Sequence, residues 1–322
     1  MRISVVMCTY NGARHLNEQL DSICRQTVAP YEVIIHDDRS TDNTPQILQQ
    51  FASKTVLSVR IVSNSTRLGS TANFDRAIQE CDGDVIVLAD QDDIWKETKL
   101  QTLEFAFLAD AELGYVFSDG DVIDEQGRQV GCSMWESLGY APSSLLDRFK
   151  QNETLFLLKH NVVTGAAMAF RSSLIPIVHP IPPEWIHDHW IALLGSIFTC
   201  GRPLADRLIM YRQHPGQQKG VRQRSIAEKY RESLAAETES ARKIERLKEL
   251  EERISRLSAT QAINMDNIGA VIQEKINHIA KRSAARSAKG VSRIKVVLSE
   301  MVAGRYHRFS DSWISAARDL IA

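Results

Sequence analysis

The sequence lacks every long apolar stretch: charge-free apolar runs such as residues 189–201 and 162–170 fall short of the roughly 20 residues that a bilayer-spanning helix needs. That excludes a membrane span. Cysteine is scarce, and Cys8, Cys24, Cys81, Cys132 and Cys200 are odd in number, scattered and without CxxC spacing. This suits reduced thiols better than a disulfide framework or a zinc site. The N-terminus has no apolar run followed by a small-residue cleavage site; Met1 and Arg2 lead straight into a strand-like segment. No signal peptide is expected, and the protein is expected to be cytoplasmic. With 43% hydrophobic and 25% charged residues among 322, disorder and fibres are excluded as well.

Proline is absent from the last hundred residues, and this absence divides the chain. Residues 1–220 hold all nine prolines and 13 of the 16 glycines, with 19 basic and 27 acidic side chains, whereas residues 221–322 hold 20 basic and 13 acidic. The net charge of −1 therefore hides an acidic first part and a basic second part. The sequence predicts a domain over 1–220 and an all-helical extension over 221–322.

In the first part, residues 3–7, 32–36, 57–62, 84–89 and 115–118 are short apolar runs bounded by polar clusters, the pattern of strands buried on both faces of a parallel sheet. Helical patterns lie between them. Leu16, Leu20 and Ile23 recur at helical spacing, and Thr44-Pro45 predicts a helix start with Thr44 as N-cap. Strand–helix alternation predicts an α/β fold, a doubly wound, mostly parallel central sheet with flanking helices. In such sheets ligands lie beyond the carboxyl ends of the strands. Polar clusters stand there: residues 8–12 after the first run, 37–42 after the second and Asp90-Gln91-Asp92-Asp93 after the fourth. Three aspartates within four residues need compensation. A solvated turn is one reading; the other is a hard divalent cation, Mg²⁺ or Mn²⁺, carrying a diphosphate.

The motifs Val5-Val6-Met7-Cys8-Thr9-Tyr10-Asn11, Ile35-His36-Asp37-Asp38-Arg39-Ser40-Thr41-Asp42, Arg67-Leu68-Gly69 and Leu88-Ala89-Asp90-Gln91-Asp92-Asp93-Ile94-Trp95 stand in this order. Together they make residues 1–220 resemble the inverting family 2 glycosyltransferases of GT-A fold. With the later His187-Asp188-His189-Trp190, the chain is similar to rhamnosyltransferase-like bacterial members that build cell-envelope polysaccharides such as O-antigen.

The resemblance implies roles for single residues. Thr9 and Tyr10 would contact the nucleoside, the ring offering a stacking face, and Asp38 or Asp37 would accept a pyrimidine N3–H. Arg67 would approach the nucleotide. Asp90 and Asp92 would be the donor-site acids, Asp92 the direct metal ligand, with Asp93 touching the sugar. His214 would add a metal ligand or offset charge on the diphosphate, and Arg212 would neutralise the same leaving group. Asp188 would be the catalytic base, although an aspartate before an apolar helix is also an ordinary N-cap. Many members carry Glu-Asp here, so His187 is a departure. Residues 161–165 resemble the acceptor-side strand.

In the extension, Tyr230, Leu234, Ala241, Ile244, Leu247, Leu250, Ile254 and Leu257 form an apolar stripe. It predicts burial against the domain, against the following helix, or in a homodimeric coiled coil. Residues 281–289 and 293–308 are basic and amphipathic, suiting either a solvated face or a peripheral contact with an anionic membrane. Nucleic acid is not expected, because no nucleic-acid module is recognisable. The expected partners are a dTDP- or UDP-sugar donor and a glycan or lipid-linked glycan acceptor. The competing expectations are a sugar nucleotidyltransferase and a noncatalytic partner in a glycan assembly complex.

Overall fold

The computed structural model describes residues 1–215, 236–258, 266–288 and 290–321. The chain forms two compact units, Met1–Leu157 with Asn161–Gln223, and Leu158–His160 with Arg224–Ala322.

The first unit is an α/β fold. Its strands are β1 (Ile3–Thr9), β2 (Glu32–Asp37), β3 (Val59–Ser63), β4 (Val85–Ala89), β5 (Ile94–Trp95), β6 (Leu113–Ile123), β7 (Gln129–Ser133), β8 (Met168–Arg171) and β9 (Cys200–Arg212). Its helices are α1 (Leu16–Cys24), α2 (Thr44–Lys54), α3 (Ser70–Ile78), α4 (Lys99–Ala109), α5 (Met134–Ser137), α6 (Pro142–Gln151), α7 (Glu153–Lys159), α8 (Ile175–Val178) and α9 (His187–Phe198).

The strands run β3-β2-β1-β4-β8-β6-β9-β5 across one sheet, with β7 added to β6. The block β3-β2-β1-β4 is parallel throughout, and beyond it β8 is antiparallel to both β4 and β6 while β9 is parallel to β6. The apolar runs explain the parallel block. Val5, Val6, Val33, Ile34, Ile35, Ile86, Val87 and Leu88 are all fully buried, as a sheet covered on both faces requires. Register then aligns the strand ends: Thr9 stands beside Asp37, Asp37 beside Ser63, and Met7 beside Ala89. The polar segments that follow therefore leave the sheet at one edge.

Local differences from the expected pattern have physical causes. Helix α2 begins at Thr44 with Asn43 as its cap, because the Thr44 hydroxyl instead accepts the Gly12 N–H at 2.9 Å. Asp188 is the second residue of α9, and the capping position falls to Ile186. Residues 161–164 carry no strand, and Gly165–Ala167 is a 3₁₀ turn before β8; this turn aims the Gly165 N–H at Asp188.

The second unit contains α10 (Ala236–Ser258), α11 (Asp266–Ser287), α12 (Val291–Val302), α13 (Arg305–Phe309) and α14 (Ser312–Ile321). Leu247, Leu250 and Ile254 of the apolar stripe are buried, and α10 packs on α11; Ala241 of the stripe is exposed, and Tyr230 and Leu234 lie outside the described residues. A core of Ala285, Val297, Tyr306 and Ala316 joins the last helices. Around it the basic segments meet inward-facing carboxylates: Lys281 and Arg305 pair with Glu300, Arg282 and Arg286 with Asp319, and Arg308 with Glu274. His278 is buried between Glu300 Oε2 at 2.8 Å and Ser310 Oγ at 3.0 Å. The five cysteines are free thiols. Among the described residues no helix is long and apolar enough to cross a membrane.

Candidate active site

The loops after β1, β2 and β4 are knitted together before any ligand is considered. Asn11, at φ 47°, donates its N–H to Ser40 Oγ at 2.9 Å and accepts the Thr41 N–H at 2.8 Å. The Asp37 carboxylate accepts the Thr9 hydroxyl at 2.9 Å and the Ser40 N–H at 2.9 Å. Asp38 reaches the next loop, accepting N–H groups from Leu68 at 2.7 Å and Gly69 at 2.8 Å. It thereby fixes the loop that carries Arg67, whose guanidinium lies over the Tyr10 ring at 3.8 Å. One face of the tyrosine expected to stack on a base thus carries a cation.

A cavity of about 480 Å³ opens at this edge. Thr9, Tyr10, Asp38 and Arg67 line it on the side of β1 and β2, Asp90, Asp92 and His214 at the end of β4 and β9, and Asp188 from α9. Three of the expected residues stand outside the lining. Asp37 is committed to Thr9 and Ser40, as described. Asp93 is fully buried and accepts the Arg212 N–H at 2.9 Å. Arg212 is 1% exposed and threads between loops, donating to the Asp92 carbonyl at 2.8 Å and to Glu18 Oε2 at 2.6 Å. Alternation along β9 accounts for it: Tyr211 lines the cavity, and Arg212 takes the other side.

The acids Asp90, Asp92 and Asp93 offer oxygens that all lie within 4.8 Å of one another. Burial, then the charges of Asp92 and Asp188, pushes the Asp90 carboxyl up to about 7, and burial with Asp92 and Asp90 pushes Asp93 upward too. Their nearby compensating cation is one that the sequence did not distinguish. Lys99 is fully buried, its Nζ 2.6 Å from the Ala166 carbonyl and 3.7 Å from the Trp95 ring centroid. Burial brings its amine down to about 7 against the pull of Asp93 and Asp90. His214 Nε2 stands 2.8 Å from Asp92 Oδ2.

Asp188 lines the same cavity, near enough for its charge to raise the Asp90 carboxyl. Its Oδ2 accepts the Gly165 N–H at 2.9 Å and its Oδ1 the His189 N–H at 2.5 Å, which fixes the carboxylate in place. His187 beside it stacks on Phe74 with centroids 4.1 Å apart. Its ring nitrogens have no hydrogen-bond partner, and burial drops it to about 3, so the imidazole is neutral. A Cβ on Gly165 would lie 2.8 Å from His187 Nε2; glycine is required there by contact.

Gln91 is a further residue that the sequence placed in a motif without a role. Its Oε1 accepts the Tyr10 N–H at 2.9 Å and its Nε2 donates to the Tyr10 carbonyl at 3.1 Å. This two-point pairing locks the acidic loop to the loop after β1. A Cβ on Gly12 would come within 2.1 Å of Gln91 Oε1, so the pairing depends on that glycine.

The profile of Glycosyl transferase family 2 matches residues 4–177. An uncharacterized glycosyltransferase of Nostoc sp. (strain PCC 7120) is 30% identical over 221 residues, 66% of this chain and 65% of that protein. A dTDP-rhamnosyl transferase of Shigella flexneri, RfbG, is 37% identical over 99 residues, 30% of this chain and 34% of that protein. The chain therefore spans less than two thirds of these relatives' own length. Among solved structures, S. aureus TarS residues 1–349 in complex with UDP-GlcNAc superposes with a TM-score of 0.53 at 16% identity, covering 99% of this chain and 88% of that one. The mannosyltransferase PcManGT from Pyrobaculum calidifontis, in complex with GDP-Man and Mn²⁺, gives 0.51 at 16% identity, covering 99% and 86%. At such identities the likeness speaks for the fold, which is GT-A-like.

Proposed function

We propose, from the premise that this chain belongs to glycosyl transferase family 2, that it is an inverting glycosyltransferase that moves a sugar from a pyrimidine nucleoside diphosphate to a hydroxyl of a cell-envelope glycan. The observation that carries this reading is that one cavity is lined both by Asp90 and Asp92 and by Asp188. In-line displacement needs both parts: a place for the diphosphate to leave and a carboxylate behind the attacking hydroxyl.

Thr9, Tyr10, Asp38 and Arg67 would receive the nucleoside and its phosphates. Asp37 and Arg212 would position them indirectly, Asp37 by holding Thr9 and Arg212 by holding the Asp92 carbonyl. Asp93, buried with its Oδ2 unpartnered, would likewise act behind the acidic loop. Asp188 would take the proton of the acceptor hydroxyl as its oxygen bonds to the anomeric carbon and the bond from that carbon to the diphosphate oxygen breaks. The two N–H groups on Asp188 would keep its oxygens aimed during that step. Neutral His187 would offer a donor and an acceptor beside the base.

The acidic cluster is an oxygen donor set whose charge Lys99 only partly offsets, and it suits a hard divalent cation. Asp92, Asp90 and His214 would hold Mg²⁺ or Mn²⁺, which when bound supplies neutralisation of the diphosphate. The likeness to a Shigella dTDP-rhamnosyl transferase supports rhamnose carried on dTDP, and relatives named for teichuronic acid biosynthesis and for glucosyl transfer to a GlcNAc-diphosphoundecaprenol support a glycan or lipid-linked glycan acceptor.

Thermal unfolding with UDP, dTDP, GDP and ADP, each with and without Mn²⁺, tests the donor half of this reading. The expected result is metal-dependent stabilisation by a pyrimidine diphosphate. A cooperative melt that no nucleotide shifts would instead favour a noncatalytic partner in a glycan assembly complex.

A further inference from the structure

Helices α12 and α14 are apolar on two sides. Val297 and Ala316 face the core of the helical unit, and Arg293 Nη1 ties α12 to the Leu320 carbonyl of α14 at 3.3 Å. One apolar stripe per helix accounts for that packing. Each helix nevertheless carries a second. Val291, Ile294, Leu298 and Val302 recur at helical spacing on α12 and are exposed, Val302 by 89%; on α14 Trp313 and Ile321 are exposed by 67% and 78%.

The charges on these helices are sorted by sign. Their carboxylates, Glu300 and Asp319, are buried at 1% and 0% inside ion pairs. Their exposed charges, Lys295 and Arg318, are cationic, and half-buried Arg293 donates to backbone carbonyls. Asp311, in the turn before α14, is the exposed carboxylate that adjoins them. A second copy of the same face would gather both sets of these cations into one interface, since a two-fold contact uses the same patch on both subunits. An apolar stripe with a tryptophan and flanking Lys and Arg is instead complementary to the boundary of an anionic bilayer, where apolar side chains enter the acyl region and cations meet headgroups.

We propose that the outer faces of α12 and α14 dock this protein on an anionic lipid surface. Of the basic segments Lys295 joins this contact, whereas Lys281, Arg282, Arg286, Arg305 and Arg308 are held by carboxylates of the same unit; the apolar stripes carry the larger part. The inference rests on the helical unit and not on the donor cavity.

Flotation of the full chain with phosphatidylcholine vesicles, with and without phosphatidylglycerol, tests it. Wild type should float with the phosphatidylglycerol vesicles. Lys295→Gln and Arg318→Gln should each weaken partitioning roughly fivefold, and Trp313→Ser with Val302→Ser should weaken it at least tenfold, on the order expected for withdrawing two exposed apolar groups from lipid. Wild type that floats with neither vesicle, or an apolar variant that floats as well as wild type, overturns the proposal. So does a wild-type dimer in sedimentation that the apolar variant dissolves, since a second copy would then cover the face. Nucleotide-induced stabilisation, read on the same samples, should be equal in all variants. Protein that floats yet binds no nucleotide overturns the glycosyltransferase reading alone.

Discussion

Replacing Asp92 by asparagine should move stability one way without ligand and the other way with it. At pH 8, above the value of about 7 reached by Asp90, the Asp92 charge works against Asp90 and Asp93, whose oxygens lie within 4.8 Å of it. Two like charges at about that separation repel by roughly 3 kcal/mol at an effective dielectric near 20. Solvent at the cavity rim reduces this to on the order of 1–2 kcal/mol. Against it stands the contact with His214 at 2.8 Å, worth about 1 kcal/mol and partly kept by an amide. The unliganded variant should therefore melt at or slightly above wild type, at roughly 2–4 °C per kcal/mol for a domain of this size. A nucleoside diphosphate with Mn²⁺ at a hundred times its dissociation constant adds about 2.7 kcal/mol, or roughly 5–10 °C, to wild type and little to the variant. Scanning fluorimetry, first in chelator and then with UDP or dTDP and Mn²⁺, reads both quantities. A variant that melts several degrees lower without ligand and still shows the full ligand-induced rise would refute the reasoning on both counts.

Asp188→Asn should leave that nucleotide response intact while lowering turnover by about 10²–10⁴, the usual contribution of a positioned general base; equal losses of binding and turnover would assign Asp188 to structure. Gly165→Ala should cost on the order of 1–3 kcal/mol in thermal unfolding and lower turnover, because its Cβ would lie 2.8 Å from His187 Nε2 and 3.6 Å from Asp188 Oδ2. A fully active, equally stable alanine variant would show that this wall of the cavity yields. Glu153 is pushed up from 4.5 to about 7 by burial, despite accepting the Gly201 N–H at 3.0 Å. The folded protein then holds an extra proton between those values, so its stability falls as pH rises from 4.5 to about 7. Glu153→Gln should flatten that part of the melting profile and raise the melting temperature above pH 7.

The parallel half of the sheet was legible because strands buried on both faces are nearly continuous apolar runs, and residues 3–7, 32–36 and 84–89 are mostly apolar. The mixed half was legible in part: residues 115–118 mark a piece of β6. Strand β5 has two residues and β8 four, too short to show a period. The apolar run 162–170 mixes irregular backbone, a 3₁₀ turn and a strand, which composition cannot separate. Among site residues, the aspartates announced themselves by standing after strands. Lys99 and Gln91 did not, since nothing local distinguishes a lysine that tertiary packing will bury from one on a solvated helix face. Arg212 shows the complementary failure: it was expected at the leaving group, but neighbouring residues of a strand point to opposite sides, so Tyr211 faces the cavity and Arg212 does not, while His214 lies beyond the end of β9.

The placement of Arg212 also orders events in time. It grips the Asp92 carbonyl from 120 residues further along the chain, and Asp93 receives its N–H from the same residue. A ribosome delivers β1 to β4 long before β9, so the growing chain can assemble the parallel block while the acidic loop still lacks its clasp. Contacts of such sequence separation form late. The donor side of the cavity is thus completed only when the last strand of the sheet arrives, and a nascent chain shorter than 212 residues has the sheet's parallel half without the means to settle its acids.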